Sequence, residues 1–403
     1  MSNLEELIER LCPDGVEYKY LADVVTIKRG VRLIKKELKD NAKYPVYQNS
    51  LIPLGYYDDY NCEANKTMII TAGAAGDIVY SNTKFWAADD CFYFICNRNI
   101  DDKFLYYVLM SQQRGIYSKV RKASIPRLPR IVIEKIKLPV PPLEVQREIV
   151  RILDNFTFLT TELAAELAAR QKQYEYYRDL LLTFKPNEST ILNERTNELE
   201  LSGTIRWMKL GDICLHSYSG ATPKKSNSEY YTNGTIPWIR TQDVVFNSIY
   251  KVDAYITEKA VQETGAKWIP ENCVIVAISG ASAGRCAINK IKATTNQHCL
   301  NMEIDSSKAL YKYVFYCLCN QEEELILKKQ GARGDLNSSI ILEMKIPIPP
   351  LEQQQRIVGI LDRFDALCND ISSGLPAEIE ARQKQYEYYR DKLLSFKELK
   401  KEA

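Results

Sequence analysis

Two blocks of this 403-residue sequence occur twice. LPVPPLEVQREIVRILDNF at 138–156 returns as IPIPPLEQQQRIVGILDRF at 346–364, an offset of 208, and ARQKQYEYYRDLLLTFK at 169–185 returns as ARQKQYEYYRDKLLSFK at 381–397, an offset of 212. Such a repeat constrains architecture strongly, because each copy must form the same unit and bury the same face. The four extra residues are close to one helical turn, so downstream side chains keep their face, and helix is expected through the gap in both copies. Each copy opens on a proline pair, Pro141-Pro142 and Pro349-Pro350, which a helix tolerates at its entry and no deeper. Apolar residues then recur at helical spacing: Ile149, Ile152, Leu153, Phe156, Leu159, Leu163 and Leu167 in one copy. The other copy has Ile357, Ile360, Leu361, Phe364, Leu367, Ile371 and Leu375, with Gly374 and Pro376 marking a possible kink. Each stripe needs a partner helix, and the obvious partner is the other copy.

Before each helical block lies a segment of similar plan and different residues. Both segments open on a strand-like stretch, VEYKYLADVV (16–25) and IRWMKLGDIC (205–214). Both pass through an apolar strand into a small-residue turn, MIITAGAAG (68–76) and VIVAISGASAG (274–284), then an aromatic helix, then a basic or glycine-rich loop. The expected organisation is an N-terminal helical segment (1–13), a first domain (14–137), a first helical spacer (138–185), a linker (186–203), a second domain (204–345), a second helical spacer (346–397) and a tail (398–403). The expected fold is α+β. It comprises two mixed or mainly β domains with small helices, separated by two long antiparallel helices in a pseudo-twofold repeat. The segment NLEELIERL is expected near the C-terminal helix.

Charge separates the segments further. Residues 14–137 carry 20 basic against 14 acidic side chains and residues 204–345 carry 17 against 14, while the rest of the chain is acidic. Two basic blocks hint at two polyanion-binding modules. No run reaches the roughly 18 uncharged apolar residues of a membrane span, and the polar start MSNLEELIER does not resemble a signal peptide, so a cytoplasmic protein is expected. The eleven cysteines are scattered singly and read as reduced, buried thiols. With no C-x2-C pair and only two histidines, no metal is expected.

The doubled block P-[LVI]-P-P-L-E-x-Q-x-x-I-V-x-I-L-D, at 139–154 and 347–362, resembles the specificity subunit of type I restriction-modification enzymes along essentially the whole chain. SGATPKKSNSEYY (219–231), IPWIRTQDV (236–244) and TTNQHC (294–299) look like that family's second-domain signatures. The resemblance implies two target recognition domains, each reading one half of a split site in double-stranded DNA. It also implies two docked methylation subunits that modify adenine N6 with S-adenosylmethionine, joined in the full complex by ATP-dependent restriction subunits. By the same resemblance the chain itself is non-catalytic and binds no cofactor, leaving S-adenosylmethionine, ATP and magnesium to its partners. The sequence agrees, having no adenine-methylase Asn/Asp-Pro-Pro-Tyr motif and no phosphate loop. The first domain lacks the S-G-x-T-P and I-P-W-I elements and offers YPVYQNSLIPLGYYDDY (44–60), so an asymmetric target is expected.

A duplex reader uses Lys and Arg for phosphates and Arg, Asn, Gln, Ser or Thr for base edges. First-domain candidates are Lys28, Arg29, Arg32, Lys35, Lys36, Gln48, Asn49, Arg121, Lys122, Arg127 and Arg130. Second-domain candidates are Thr222, Lys224, Lys225, Arg240, Thr241, Gln242, Ser282, Arg285, Asn296, Gln297, His298 and Arg333. The lysine pairs fit phosphate contacts or a solvated face equally, His298 fits a base contact or a structural role equally, and Trp238 fits core. For partner docking the candidates are Tyr174, Tyr176, Tyr177 and Arg178 with Tyr386, Tyr388, Tyr389 and Arg390, against packing at the helix-pair end. The unit T-E-L-A, nearly doubled at 161–168, suggests a ruler between half-sites. Competing readings are an orphan DNA-binding or scaffold protein without a methylase, and a nuclease using Asp58-Asp59, Asp89-Asp90 or Asp101-Asp102, acids that look more like turn and cap residues.

Overall fold

The computed structural model describes residues 2–39, 41–184, 191–193, 198–200, 205–329, 335–370 and 372–399. The chain forms two compact units, Met1–Ala165 with Ala377–Ala403, and Glu166–Pro376. Each unit therefore combines one β-rich domain, the opening part of the helix that follows it, and the closing part of the other copy's helix.

In the first unit, Glu17–Tyr20 pairs antiparallel with Lys137–Val140 and ties the two ends of the domain together. A four-stranded antiparallel sheet runs in the order Val25–Arg29, Cys91–Cys96, Lys66–Ile70, Ile78–Ser81. Beside it lies a three-stranded sheet of Gly55–Tyr57, Tyr44–Tyr47 and Trp86–Ala87, with Val46 and Trp86 paired in parallel. Met68, Ile69 and Ile70 are buried without alternation because both faces of their strand are covered. Helix Asp102–Ser111 packs on that sheet and is capped by Asp101, whose carboxylate accepts from the Lys103 and Phe104 amides.

The second unit follows the same plan. Arg206–Lys209 pairs with Lys345–Ile348. The five-stranded sheet has the order Cys214–Ser219, Cys299–Ile304, Val274–Ala277, Cys286–Asn289, Asn247–Ile249, and a four-stranded sheet is centred on Ile236–Ile239 and Ala293–Thr295. Helix Tyr311–Asn320 covers the larger sheet.

The first spacer is one 40-residue helix, Leu143–Leu182, beginning after the expected proline pair. The second is not one helix but two, Leu351–Asn369 and Leu375–Leu393. The break falls between the repeated blocks, in the stretch that is four residues longer in this copy. The Asp370 carboxylate accepts from the Ser372 amide and from both Ser372 and Ser373 hydroxyls, so side-chain bonds compete with the helical ladder at this point. Those donors hold the Asp370 carboxyl down at about 2. Ile371 lies outside the described residues.

Each stripe does find the other copy. In the first unit Ile149 and Leu153 share a core with Leu393 and Leu394, and Phe156 stacks on Tyr389 at 5.4 Å. In the second, Ile357 and Leu361 share a core with Leu181 and Leu182, and Phe364 stacks on Tyr177 at 5.5 Å. Toward the middle the stripe opens, with Leu159 48% exposed. The N-terminal helix Ser2–Leu11 places Leu4 in the first core, and beyond it Val16 N–H donates to Lys397 O while Leu399 N–H returns to Val16 O. The eleven cysteines are all free thiols. Among the described residues no helix is long and apolar enough to cross a membrane, and no group of side chains could hold a metal ion.

Candidate nucleic-acid interface

Each domain is fastened to its own helix by a polar joint that the sequence reading did not pick out. In the first unit Gln146, fully buried, accepts from Asp101 N–H at 2.8 Å and donates to the carbonyls of Asn99 and Pro141 at 2.8 and 2.7 Å. Asp154 accepts from the Tyr107 hydroxyl at 2.6 Å and pairs with Lys103 at 2.7 Å. The second unit repeats every element. Gln354 accepts from Leu310 N–H and donates to Lys308 and Pro349 carbonyls, and Asp362 takes Tyr316 at 2.7 Å and Lys312 at 2.5 Å. Burial and the carboxylate partner push both phenols well up, so Tyr107 and Tyr316 remain donors. The signal was available: the repeated block preserves its Gln and Asp at both copies, and each aromatic helix carries Lys and Tyr four residues apart.

The loops of each domain converge through backbone bonds that correspond one to one. In the first domain Gly30 N–H donates to Cys91 O, Val31 to Ala87 O, Ala88 to Tyr47 O, Thr71 to Asp90 O and Leu128 to Thr71 O. In the second, Gly220 donates to Cys299 O, Ala221 to Thr295 O, Asn296 to Ile239 O, Ile278 to His298 O and Leu336 to Ile278 O. Gly73 and Gly280 hold the same left-handed turn, at φ 80° and 74°, where a β-carbon is disfavoured. Arg32 therefore stands where Thr222 stands, Gln48-Asn49 where Arg240-Thr241 stands, and Asp89-Asp90 where Gln297-His298 stands. One backbone frame carries two different sets of side chains.

Most candidates lie on these clusters. Lys28, Arg32, Lys35, Lys36, Arg121, Lys122 and Arg127 are exposed and form no ion pair with a described residue. Arg121 and Arg127 exchange backbone bonds in a tight loop, whose Pro126 carbonyl accepts from Gly73 N–H. Arg29 donates to the Asp89 carbonyl at 2.8 Å. Arg130 is committed to Glu134 one turn along its own helix, at 2.7 Å. In the second domain Lys224, Lys225, Gln242 and Arg285 are exposed, Ser282 is half-buried, and Thr222 bonds to Gln297. Arg240 is half-buried, with its Nε shut from solvent and 3.9 Å from Asp243. Asn296 is buried and accepts from His298 N–H, which makes it a turn residue. Trp238 is core, bonded to Ala221 O. Arg333 lies outside the described residues.

The repeated tyrosines divide by position. Tyr177 and Tyr389 stack on the phenylalanines named above, and Tyr174 and Tyr386 pack on the two cores under the guanidiniums of Arg178 and Arg390. Packing within the units takes these four, and Arg178 also reaches Asn320 while Arg390 pairs with Asp391. Tyr176 and Tyr388, equivalent in the two copies, are left 62% and 63% exposed. Two of the three acidic pairs weighed as metal ligands are otherwise occupied: Asp101 caps a helix, Asp102 pairs with Lys66, Asp58 with Lys39, and Asp59 accepts from the Tyr60 amide.

Comparison with known proteins agrees with this arrangement. The family model for the type I restriction modification DNA specificity domain matches residues 13–170 and 204–381. The type I restriction enzyme EcoR124I/EcoR124II specificity subunit of Escherichia coli is 36% identical, over 88% of this chain and 83% of that protein. In fold, the crystal structure of a type I restriction-modification S subunit from M. genitalium matches with a TM-score of 0.60 at 17% identity, covering 94% of this chain and 96% of that one. With both halves matched by the family model, the chain belongs to the DNA specificity subunits of type I restriction-modification systems.

Proposed function

We propose that this specificity subunit reads a split, asymmetric target in double-stranded DNA, one half-site through each loop cluster, with domains taken as 14–137 and 204–345. The observation that carries this reading is the shared backbone frame dressed with unlike side chains, Arg32, Gln48 and Asn49 against Thr222, Arg240 and Thr241. Unpaired basic side chains around each cluster supply phosphate contacts, which position a protein on the duplex, while the amides and hydroxyls face base edges. As a family member the chain is not the catalyst. Two methylation subunits dock on its helices, with Tyr176 and Tyr388 as equivalent anchors, and methylate adenine N6 using S-adenosylmethionine. Restriction subunits with ATP and magnesium complete the assembly in the cytoplasm. The long helix acts as the ruler: residues 161–168 are continuous helix and the boundary between the compact units falls inside them, at Ala165/Glu166.

The test is single-molecule methylation sequencing of DNA from cells expressing this chain with its neighbouring methylation subunit, against cells lacking the chain. A new N6-methyladenine motif of two unlike half-sites around a fixed spacer is expected. No motif, with the methylation subunit expressed and bound, would refute this reading and favour an orphan scaffold.

A further inference from the structure

The common frame sets a pair of side chains at one place in both domains, between Ala88 and Cys91 in the first and between Asn296 and Cys299 in the second. Gln297 and His298 are both exposed there, and the Gln297 amide nitrogen stands 3.1 Å from His298 Nε2 while its oxygen takes the Thr222 hydroxyl. In the first domain the same place holds Asp89 and Asp90, each half-buried. The Asp90 carbonyl is bound twice by Thr71, through its amide and its hydroxyl, so the pair is rigidly mounted. Arg29 sits beside Asp89 yet donates to its backbone carbonyl, and the Asp89 Oδ1 atom is shut from solvent with no hydrogen-bond partner.

An acidic pair is a poor choice for a surface that meets phosphates, since it opposes the attraction supplied by Lys28, Arg32, Arg121, Lys122 and Arg127. That cost is relieved by one kind of ligand, a base edge that offers N–H. In the major groove only cytosine N4 and adenine N6 do so, and acidic side chains accept from cytosine N4.

Resting on the reading of the loop clusters as DNA-facing, we propose that residues 89–90 and 297–298 are equivalent base-reading positions. Asp89-Asp90 accept hydrogen bonds from an exocyclic amino group, of cytosine or adenine, in the first half-site. Gln297-His298 read the corresponding place in the second. The two domains thereby differ in the chemistry presented at a single shared position, which makes their half-sites unlike.

The test is selection of bound sequences from a randomised duplex pool by the full chain, wild type beside Asp89→Ala, Asp90→Ala and Gln297→Ala. Wild type is expected to select one base pair in one orientation at the position that Asp89→Ala or Asp90→Ala relaxes, with preference there falling about tenfold, the scale of one good side-chain-to-base pairing. Affinity for non-target duplex rises in the same variants, because a negative charge has gone. Gln297→Ala relaxes one position of the second half-site and none of the first. The proposal is overturned if the aspartate variants keep every preference, or if the whole first half-site is lost at once, the mark of a merely structural role. A wild-type chain that selects no motif overturns the DNA-facing reading itself, and this inference with it.

Discussion

Gln146→Ala strikes the joint that holds the first domain to its helix. The side chain is fully buried and makes three bonds, all to backbone, accepting from Asp101 N–H and donating to Asn99 O and Pro141 O. Truncation removes the complement of all three partners at once, and Pro141 among them is buried. A buried group left unpaired costs about 1–3 kcal/mol, with carbonyls at the low end because each keeps a second lone pair, so the total is about 3–5 kcal/mol. A unit of about 190 residues shifts by roughly 2–4 °C per kcal/mol, which gives a fall of about 10 °C in its melting midpoint. Scanning calorimetry of the full chain measures it. The first unit's transition should move alone, and Gln354→Ala should move the second unit's alone. A fall of under 3 °C, or an equal shift of both units, would show that the joint is not what secures each domain.

Four further outcomes follow from the same structure. Burial raises the carboxyl of Asp365 above its ordinary value, with an Asn369 hydrogen bond opposing. An acid raised on folding favours the folded state below its unfolded value and loses that contribution as pH rises through the folded one, so Asp365→Asn should raise the melting midpoint at pH 7–8 and give no gain near pH 4. Arg121→Ala with Arg127→Ala should weaken binding to all duplexes alike and flatten the dependence of log affinity on log salt by about one for each phosphate contact removed; an unchanged slope would remove both from the interface. Inserting T-E-L-A after Ala168 adds about 6 Å of helix, and methylation mapping should find a spacer one or two base pairs longer around unaltered half-sites. Tyr176→Ala with Tyr388→Ala should weaken capture of the methylation subunit, read by sedimentation, without moving either melting midpoint, since both rings are exposed.

The repeat made the architecture legible from the sequence alone. A doubled apolar stripe behind a doubled proline pair admits few folds, and the strand, small-residue turn and aromatic helix before each copy follow local preferences that tertiary packing did not override. The kink was visible only as a possibility at Gly374 and Pro376. Whether the helix broke there depended on competing bonds from Ser372 and Ser373 to Asp370.

The candidate site was legible by residue type and not by place. Basic and amide-bearing loops announced a polyanion reader, but Arg130 and Asn296 carry the same chemistry as Arg127 and Gln297 and are spent on Glu134 and on a turn. Among six repeated tyrosines, only folding separates the four that pack from the two that project. The sequence by itself determined the two-copy plan and the family, because periodicity and motif spacing are local and survive without contacts. Only the tertiary structure decided that Gln146 and Gln354 are joints, and that Asp89-Asp90 and Gln297-His298 occupy one position. Those equivalences are carried by backbone hydrogen bonds between segments tens of residues apart, which no side-chain pattern along the chain records.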